Sequence, residues 1–306
     1  MMEGSERSTK RSTRSIVARP FSWFATGLGW RLQALIQKVR RASARLEVGF
    51  RHSLGFLEPE TKMICDSQSY WNDTGDRSFK PNSHWRGVGV FADDSRWLAL
   101  GHENLRLYED FARVVGLQHP LKRVVEWGCG GGVNAVHFGR FAEEFCGIDI
   151  SRASLEECAR QMKMAGLHNF KPILIDAANP EAAVSQLSGP CQLLISTYVF
   201  ELLPTPEYGI RVLRIAHQLL RPGGIAMIQI KYNEANLSTA SRAWSYAKNL
   251  PRIVTYRIEE FWRAAEQCGF TPRMVTLVPK QPLVQDQNYA YFLLLKKLAV
   301  LDLQRS

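Results

Sequence analysis

The stretch Val124-Val125-Glu126-Trp127-Gly128-Cys129-Gly130-Gly131-Gly132 decides the fold. A short apolar run that ends in an acid and passes straight into a glycine-rich turn reads as a buried strand that delivers its C-terminal end to a ligand. Glycines at 128, 130 and 132 admit positive φ and let a bound group approach the backbone. The acid in front of the turn suits a cationic or hydroxylic ligand. Such a turn alone is a weak signal, so the decision rests on the spacing of the residues downstream of it.

Strand and helix patterns alternate downstream. Residues 133–141 read as a helix, and 144–151 as a second short buried strand ending in Asp149, where an acid meets ribose hydroxyls in nucleotide-binding folds. A third apolar strand, 172–175, ends at Asp176-Ala177. A fourth, 193–197, precedes a helical pattern over 201–220, the turn Arg221-Pro222-Gly223-Gly224 and a fifth strand over 225–230. Residues 271–278 and 289–296 read as a terminal strand pair.

In this order the residues from 124 to 297 resemble the class I S-adenosylmethionine-dependent methyltransferases. The resemblance implies an α/β fold, a Rossmann-like seven-stranded sheet with helices on both faces. It also implies that Glu126, Gly128, Cys129, Gly130 and Gly132 hold the methionine part of S-adenosylmethionine. Asp149 with Ile150 would take the ribose, Asp176 with Ala177 the adenine, and Thr197 would complete the cofactor site at the end of the fourth strand. A nicotinamide-binding fold competes less well, because Val133 stands where the third glycine of G-x-G-x-x-G belongs.

Composition bounds the rest. The chain has 306 residues, 45% of them hydrophobic, enough for one catalytic α/β domain with an N-terminal extension. Six scattered cysteines form no C-x-x-C pair, which points to a reducing, cytoplasmic setting, and the seven histidines show no zinc-binding spacing, so no metal is expected. The net charge of +10 is unevenly placed: residues 1–46 hold ten Lys or Arg against Glu3 and Glu6, which leaves 39 − 10 = 29 basic and 29 − 2 = 27 acidic residues beyond them. The catalytic part is nearly neutral, which argues against a nucleic-acid substrate.

Residues 1–20 read as a disordered basic tail. Over 21–48, Phe24, Leu28, Leu32, Leu35, Ile36 and Val39 recur at helical spacing among Arg31, Lys38, Arg40, Arg41 and Arg45. This amphipathic helix suits a peripheral site on an anionic membrane, and equally docking on a protein surface; an organelle-targeting segment is a third reading, opposed by Glu3 and Glu6. No apolar run is long enough to span a bilayer.

Residues 49–120 read as an N-terminal lid and helical segment ahead of the methyltransferase domain, 121–298. Its aromatic stretch from Tyr70 to Gly87 offers Arg86 as a clamp for the methionine carboxylate and Trp71 and Trp85 as sulfonium neighbours. His84 and His102 are candidate bases by virtue of imidazole chemistry. At the end of the fourth strand, Ser196-Thr197-Tyr198-Val199-Phe200-Glu201-Leu202 lacks the Asn/Asp-Pro-Pro-Tyr string of exocyclic-amine enzymes and resembles the small-molecule branch, with leucine where a histidine is common. Tyr198 is the third catalytic candidate, with Glu201, Lys231 and Tyr232 as orienting residues. Cys191 reads as the buried first residue of the fourth strand. Residues 233–257, longer than a plain connection and carrying Trp244, Tyr246 and Tyr256, read as a substrate cap.

The expectation is therefore a methyltransferase acting on a small molecule, at oxygen, such as a sugar or a lipid-linked metabolite. Two alternatives stay open. One is an RNA or protein methyltransferase guided by the basic tail; the other is a non-catalytic subunit of the same fold, which the intact acids Glu126, Asp149 and Asp176 oppose. Oligomeric state is not legible.

Overall fold

A computed structural model describes residues 57–298 except 74, 76 and 77, together with positions 33, 35, 36, 38, 39, 42, 43, 46–51 and 53–55. The expected tail over 1–20 and the first part of the amphipathic helix lie outside the described residues. Two units divide the chain, 1–47 and 48–306. In the first, the described positions are helical.

The second unit begins with helical positions up to 54 and then α1 (Glu60–Asn72), α2 (Phe79–Asn82) and α3 (Asp94–Val115). The sheet is assembled from β1 (Leu121–Trp127), β2 (Ala142–Asp149), β3 (Phe170–Leu174), β4 (Cys191–Ser196), β5 (Leu220–Lys231), β6 (Phe270–Gln281) and β7 (Asp286–Lys296). Between them lie α4 (Ala135–Phe138), α5 (Arg152–Met164), α6 (Ala182–Gln186), α7 (Pro206–Leu219), α8 (Tyr246–Asn249) and α9 (Ile258–Gln267). The spatial order is β3-β2-β1-β4-β5-β7-β6. All neighbours are parallel except β7, which runs antiparallel to both β5 and β6. This is the seven-stranded sheet that the sequence predicts.

Alternation along each central strand builds two cores. Val125, Trp127, Leu194 and Phe292 face one side with α1, α7 and α9; Val124, Leu193, Tyr291 and Leu293 face the other with α3 and α5. With both faces covered, the central strands read as continuous apolar runs rather than alternating ones. α3 is held by Trp97, Leu100, Asn104, Tyr108 and Phe111, a stripe at helical spacing; Asp93 caps its start by accepting from Ser95 N, and Gly116 ends it at φ 69°.

Local differences from the expected elements have clear causes. The helical pattern over 201–220 is two elements, a 3₁₀ turn (Phe200–Leu202) and α7, because Thr205 caps α7 and Pro206 starts it. The turn 221–224 is absorbed into β5 as a bulge, with Leu220 opposite Cys191 and Ile225 opposite Leu193. Chain order places β1 next to β4, where connections leave the sheet in opposite directions. In open α/β sheets ligands bind at the strand ends of such a switch point.

Candidate active site

A cavity opens at the C-terminal ends of β1 and β4. Glu126, one residue before the end of β1, is buried there. Its Oε1 accepts from Asn134 Nδ2 at 2.7 Å while Oε2 has no hydrogen-bond partner among the described residues. Burial outweighs that one donor and raises its carboxyl to about 8. Asp149, at the end of β2, accepts from Gly130 N through Oδ2 and from Ser151 N through Oδ1, each at 2.9 Å. Burial still raises it, to about 6.

Behind the acids runs a ladder of buried polar groups. Asn134 Nδ2 also donates to Thr197 Oγ1 at 2.9 Å, its Oδ1 accepts from Asn104 Nδ2 at 2.9 Å, and Asn104 Oδ1 accepts from the Tyr291 hydroxyl at 3.4 Å. The Tyr291 hydroxyl lies 2.9 Å from that of Tyr198. Glu126 and Tyr198 are thus joined through side chains of α3, β1, β7 and the loops after β1 and β4. Asn134→Leu strips partners from Glu126, Thr197 and Asn104 together, so a stability loss of about 2–4 kcal/mol is expected in thermal or urea unfolding. An unchanged midpoint would mean that the ladder contributes nothing.

The segment ahead of β1 is held at the cavity by polar contacts. Gln68 of α1 accepts from Ala177 N at 2.8 Å and donates to Ile150 O at 3.4 Å; Asn72 donates to Ile150 O at 3.0 Å. Gly131 N donates to Ser83 O at 2.7 Å. Trp71 Nε1 donates to the Tyr246 hydroxyl at 2.9 Å, which donates to Leu202 O at 2.6 Å, so α1 meets α8 at the cavity wall. The sequence singled out Trp71 and Tyr246 separately, but Gln68, Asn72 and Asn134 were missed. Asn134's one signal is a polar residue two positions after the glycine loop.

His84 and Tyr198 are brought together. Both line the cavity, their rings lie 4.9 Å apart, and both hold positive φ, 52° and 59°. Strained non-glycine backbone of this kind clusters where geometry serves function. Burial pushes the His84 imidazole down to about 4 and the Tyr198 phenol well above its usual range, so both are neutral near pH 7. Tyr198 N donates to Gln229 Oε1.

Other candidates are placed elsewhere. Arg86 does not line the cavity: its guanidinium pairs bidentately with Asp94, at 2.8 and 2.6 Å, over the Trp97 ring. His102 is exposed, because the buried stripe of α3 passes through Leu100 and Asn104 instead. Asp176 is exposed and its Oδ1 accepts from Ala178 N at 2.7 Å, leaving Ile175 and Ala177 to line that wall. Gly132 packs against Cys158 below the loop. Trp85 lies under Lys80, outside the cavity lining. Lys231 is paired with Asp286, and buried Glu201, raised to about 7, lies behind the lining residues. Glu126, Gly128, Cys129, Gly130, Asp149, Ile150, Ala177 and Thr197 all line the cavity. Cys191 is the fully buried first residue of β4.

The lining fits S-adenosylmethionine by its chemistry. An unpartnered buried carboxylate oxygen suits an ammonium group, a second carboxylate suits a diol, and Ile150, Ile175, Leu203 and Tyr208 give apolar walls to a flat base.

Comparison with known proteins agrees. Residues 100–275 match the family of methyltransferase domains. The chain belongs to the class I S-adenosylmethionine-dependent methyltransferases. Among curated proteins it is 29% identical over 164 residues to a ubiquinone biosynthesis O-methyltransferase of Ralstonia nicotianae, covering 52% of this chain and 64% of that one. It is 27% identical over 154 residues to the protein so named from Cupriavidus pinatubonensis, covering 49% and 57%. The match thus spans less than two thirds of either relative. Among solved structures, N-methyltransferase NodS of Bradyrhizobium japonicum is similar at TM-score 0.47 and 11% identity, over 63% of this chain and 96% of that one. Residues 60–99, His84 included, precede the family match.

Proposed function

We propose that this protein transfers a methyl group from S-adenosylmethionine to a hydroxyl oxygen of a small, phenol-like molecule. The observation that carries this reading is the contact of His84 and Tyr198 at the cavity, an aromatic, uncharged end suited to a flat acceptor. Two relatives named as ubiquinone biosynthesis O-methyltransferases support the same class. The near-neutral catalytic part, 29 basic against 27 acidic residues, weighs against RNA.

On this reading the loop from Gly128 to Gly130 and Glu126 hold the methionine end, Asp149 and Ile150 the ribose, and Ala177 the adenine edge. When bound, S-adenosylmethionine supplies the methyl as an electrophile on sulfur. The chain's part is to align the acceptor oxygen and exclude water. The closed lid and cap do the second. For the first, Tyr198 orients the acceptor hydroxyl, and a neutral nitrogen of His84 takes its proton as the oxygen–methyl bond forms and the carbon–sulfur bond breaks. Because His84 titrates at about 4, it stays in its base form at every pH above about 5.

His84→Ala is expected to lower kcat by about 10²- to 10⁴-fold and to leave the Kd for S-adenosylhomocysteine nearly unchanged. The assay is label transfer from S-adenosylmethionine to catechol-type and amine-type probes. Methylation confined to amines, or full turnover in the variant, would sink the oxygen assignment or the base.

A further inference from the structure

The N-terminal helical positions show an unusual surface. Leu35, Ile36, Val39 and Leu46 are 57%, 44%, 60% and 75% exposed, and in the second unit Phe50, Leu54 and Leu57 are 62%, 52% and 50% exposed. Leu35, Val39, Leu46, Phe50 and Leu54 succeed one another at intervals of four or seven residues, so in sequence they form one stripe of an α-helix. A helix in a soluble domain normally buries such a stripe, and an apolar surface of this extent marks an interaction site.

Charge selects the occupant. Residues 7–46 contain ten Lys or Arg and no acid, five of the ten lying within 31–45, and Arg51 comes soon after. A second copy of the chain would bring +8 against +8 over residues 1–46, which disfavours self-association through this segment. An anionic bilayer supplies both needs: acyl chains for the leucines and phosphates for the cations. Among the described residues no helix is long and apolar enough to cross a membrane, so the fitting mode lies in the surface plane. In the second unit, exposed Leu237 of the cap lies beside Gly49, where an added Cβ would be 3.3 Å from Leu237 Cδ1. Within the second unit, the chain at Gly49 therefore runs beside the cap.

We propose that the segment 31–57 is an interfacial anchor that docks the enzyme on an anionic phospholipid surface. The proposal is independent of the acceptor, and its test needs no methyl transfer. The full chain is floated with vesicles of phosphatidylcholine alone or mixed with phosphatidylglycerol, at low and high salt. Partition onto the anionic vesicles is expected to be at least about 10-fold stronger and to fall about 10-fold on adding salt. The double variant Leu35→Glu, Phe50→Glu is expected to lose it, and Leu35→Phe, Phe50→Leu to keep it, both with S-adenosylhomocysteine affinity unchanged as the measure of an intact fold. Equal partition onto both vesicle types overturns the proposal. So does a dimer in light scattering that the glutamate variant converts to monomer, since the stripe would then be covered by a second copy.

Discussion

Gly130→Val is expected to weaken S-adenosylhomocysteine binding by more than about 100-fold while leaving a folded protein. Gly130 sits at φ 50°, a region that costs a β-branched residue roughly 1–3 kcal/mol. A Cβ there would also stand 2.6 Å from the carbonyl oxygen of Ser83, a backbone atom that cannot rotate away. Relief has two routes, and both dismantle the cavity. If the chain at Ser83 retreats, Gly131 N loses Ser83 O; if the loop turns instead, Gly130 N leaves Asp149 Oδ2 and a buried carboxylate loses a donor. Gly166→Ala is the control: it too has positive φ, 74°, but nothing lies within 4 Å of an added Cβ, so strain appears there without a change in affinity. Calorimetry on both variants separates the outcomes. Equal affinities would mean that the loop tolerates a side chain and that the Ser83 contact is not needed.

How legible each part was in the sequence depends on how that part is held. The central strands are apolar runs between glycine and acid signals, so β1, β2 and β4 and the residues at their ends could be read directly. Glu126, Asp149 and Thr197 line the cavity because they sit at those ends, and strand ends are what the pattern locates. α1 was not legible, since Glu60–Asn72 buries only Met63, Ser67 and Trp71 and is tied down by Gln68 and Asn72 rather than by an apolar stripe. Long-range polar pairings are likewise invisible in a linear pattern. Arg86 looked free to meet a ligand carboxylate, but Asp94, eight residues on, takes two of its three guanidinium nitrogens. His102 and Asn104 look alike as polar positions on a helix, and only the register of the Trp97, Leu100, Tyr108 and Phe111 stripe turns Asn104 inward and His102 out.

Glu126 carries the second large expected effect, a pH dependence whose sign is set by burial. Its folded-state carboxyl is raised to about 8 from an ordinary 4.5, so folding takes up a proton there. Stability from this group is complete below the ordinary carboxylate range and is lost as pH rises toward about 8. A cation placed at Oε2 reverses the preference, because it stabilises the ionised form that burial opposes. If that cation is the cofactor's ammonium, binding must expel the proton, and affinity should rise with pH from about 6 to 8, by at most tenfold per unit for one proton, then level off. Glu126→Gln removes the titrating group. It is expected to bind S-adenosylhomocysteine about 10- to 100-fold more weakly at pH 8, the scale of a charged hydrogen bond of about 1.5–3 kcal/mol, and to show no slope above the region near 6 where Asp149 titrates. Calorimetry in two buffers of different ionisation enthalpy counts the released proton directly. Wild-type affinity that is flat between pH 6 and 8, with no proton released, would place the ammonium away from Glu126 and leave that carboxyl protonated and structural.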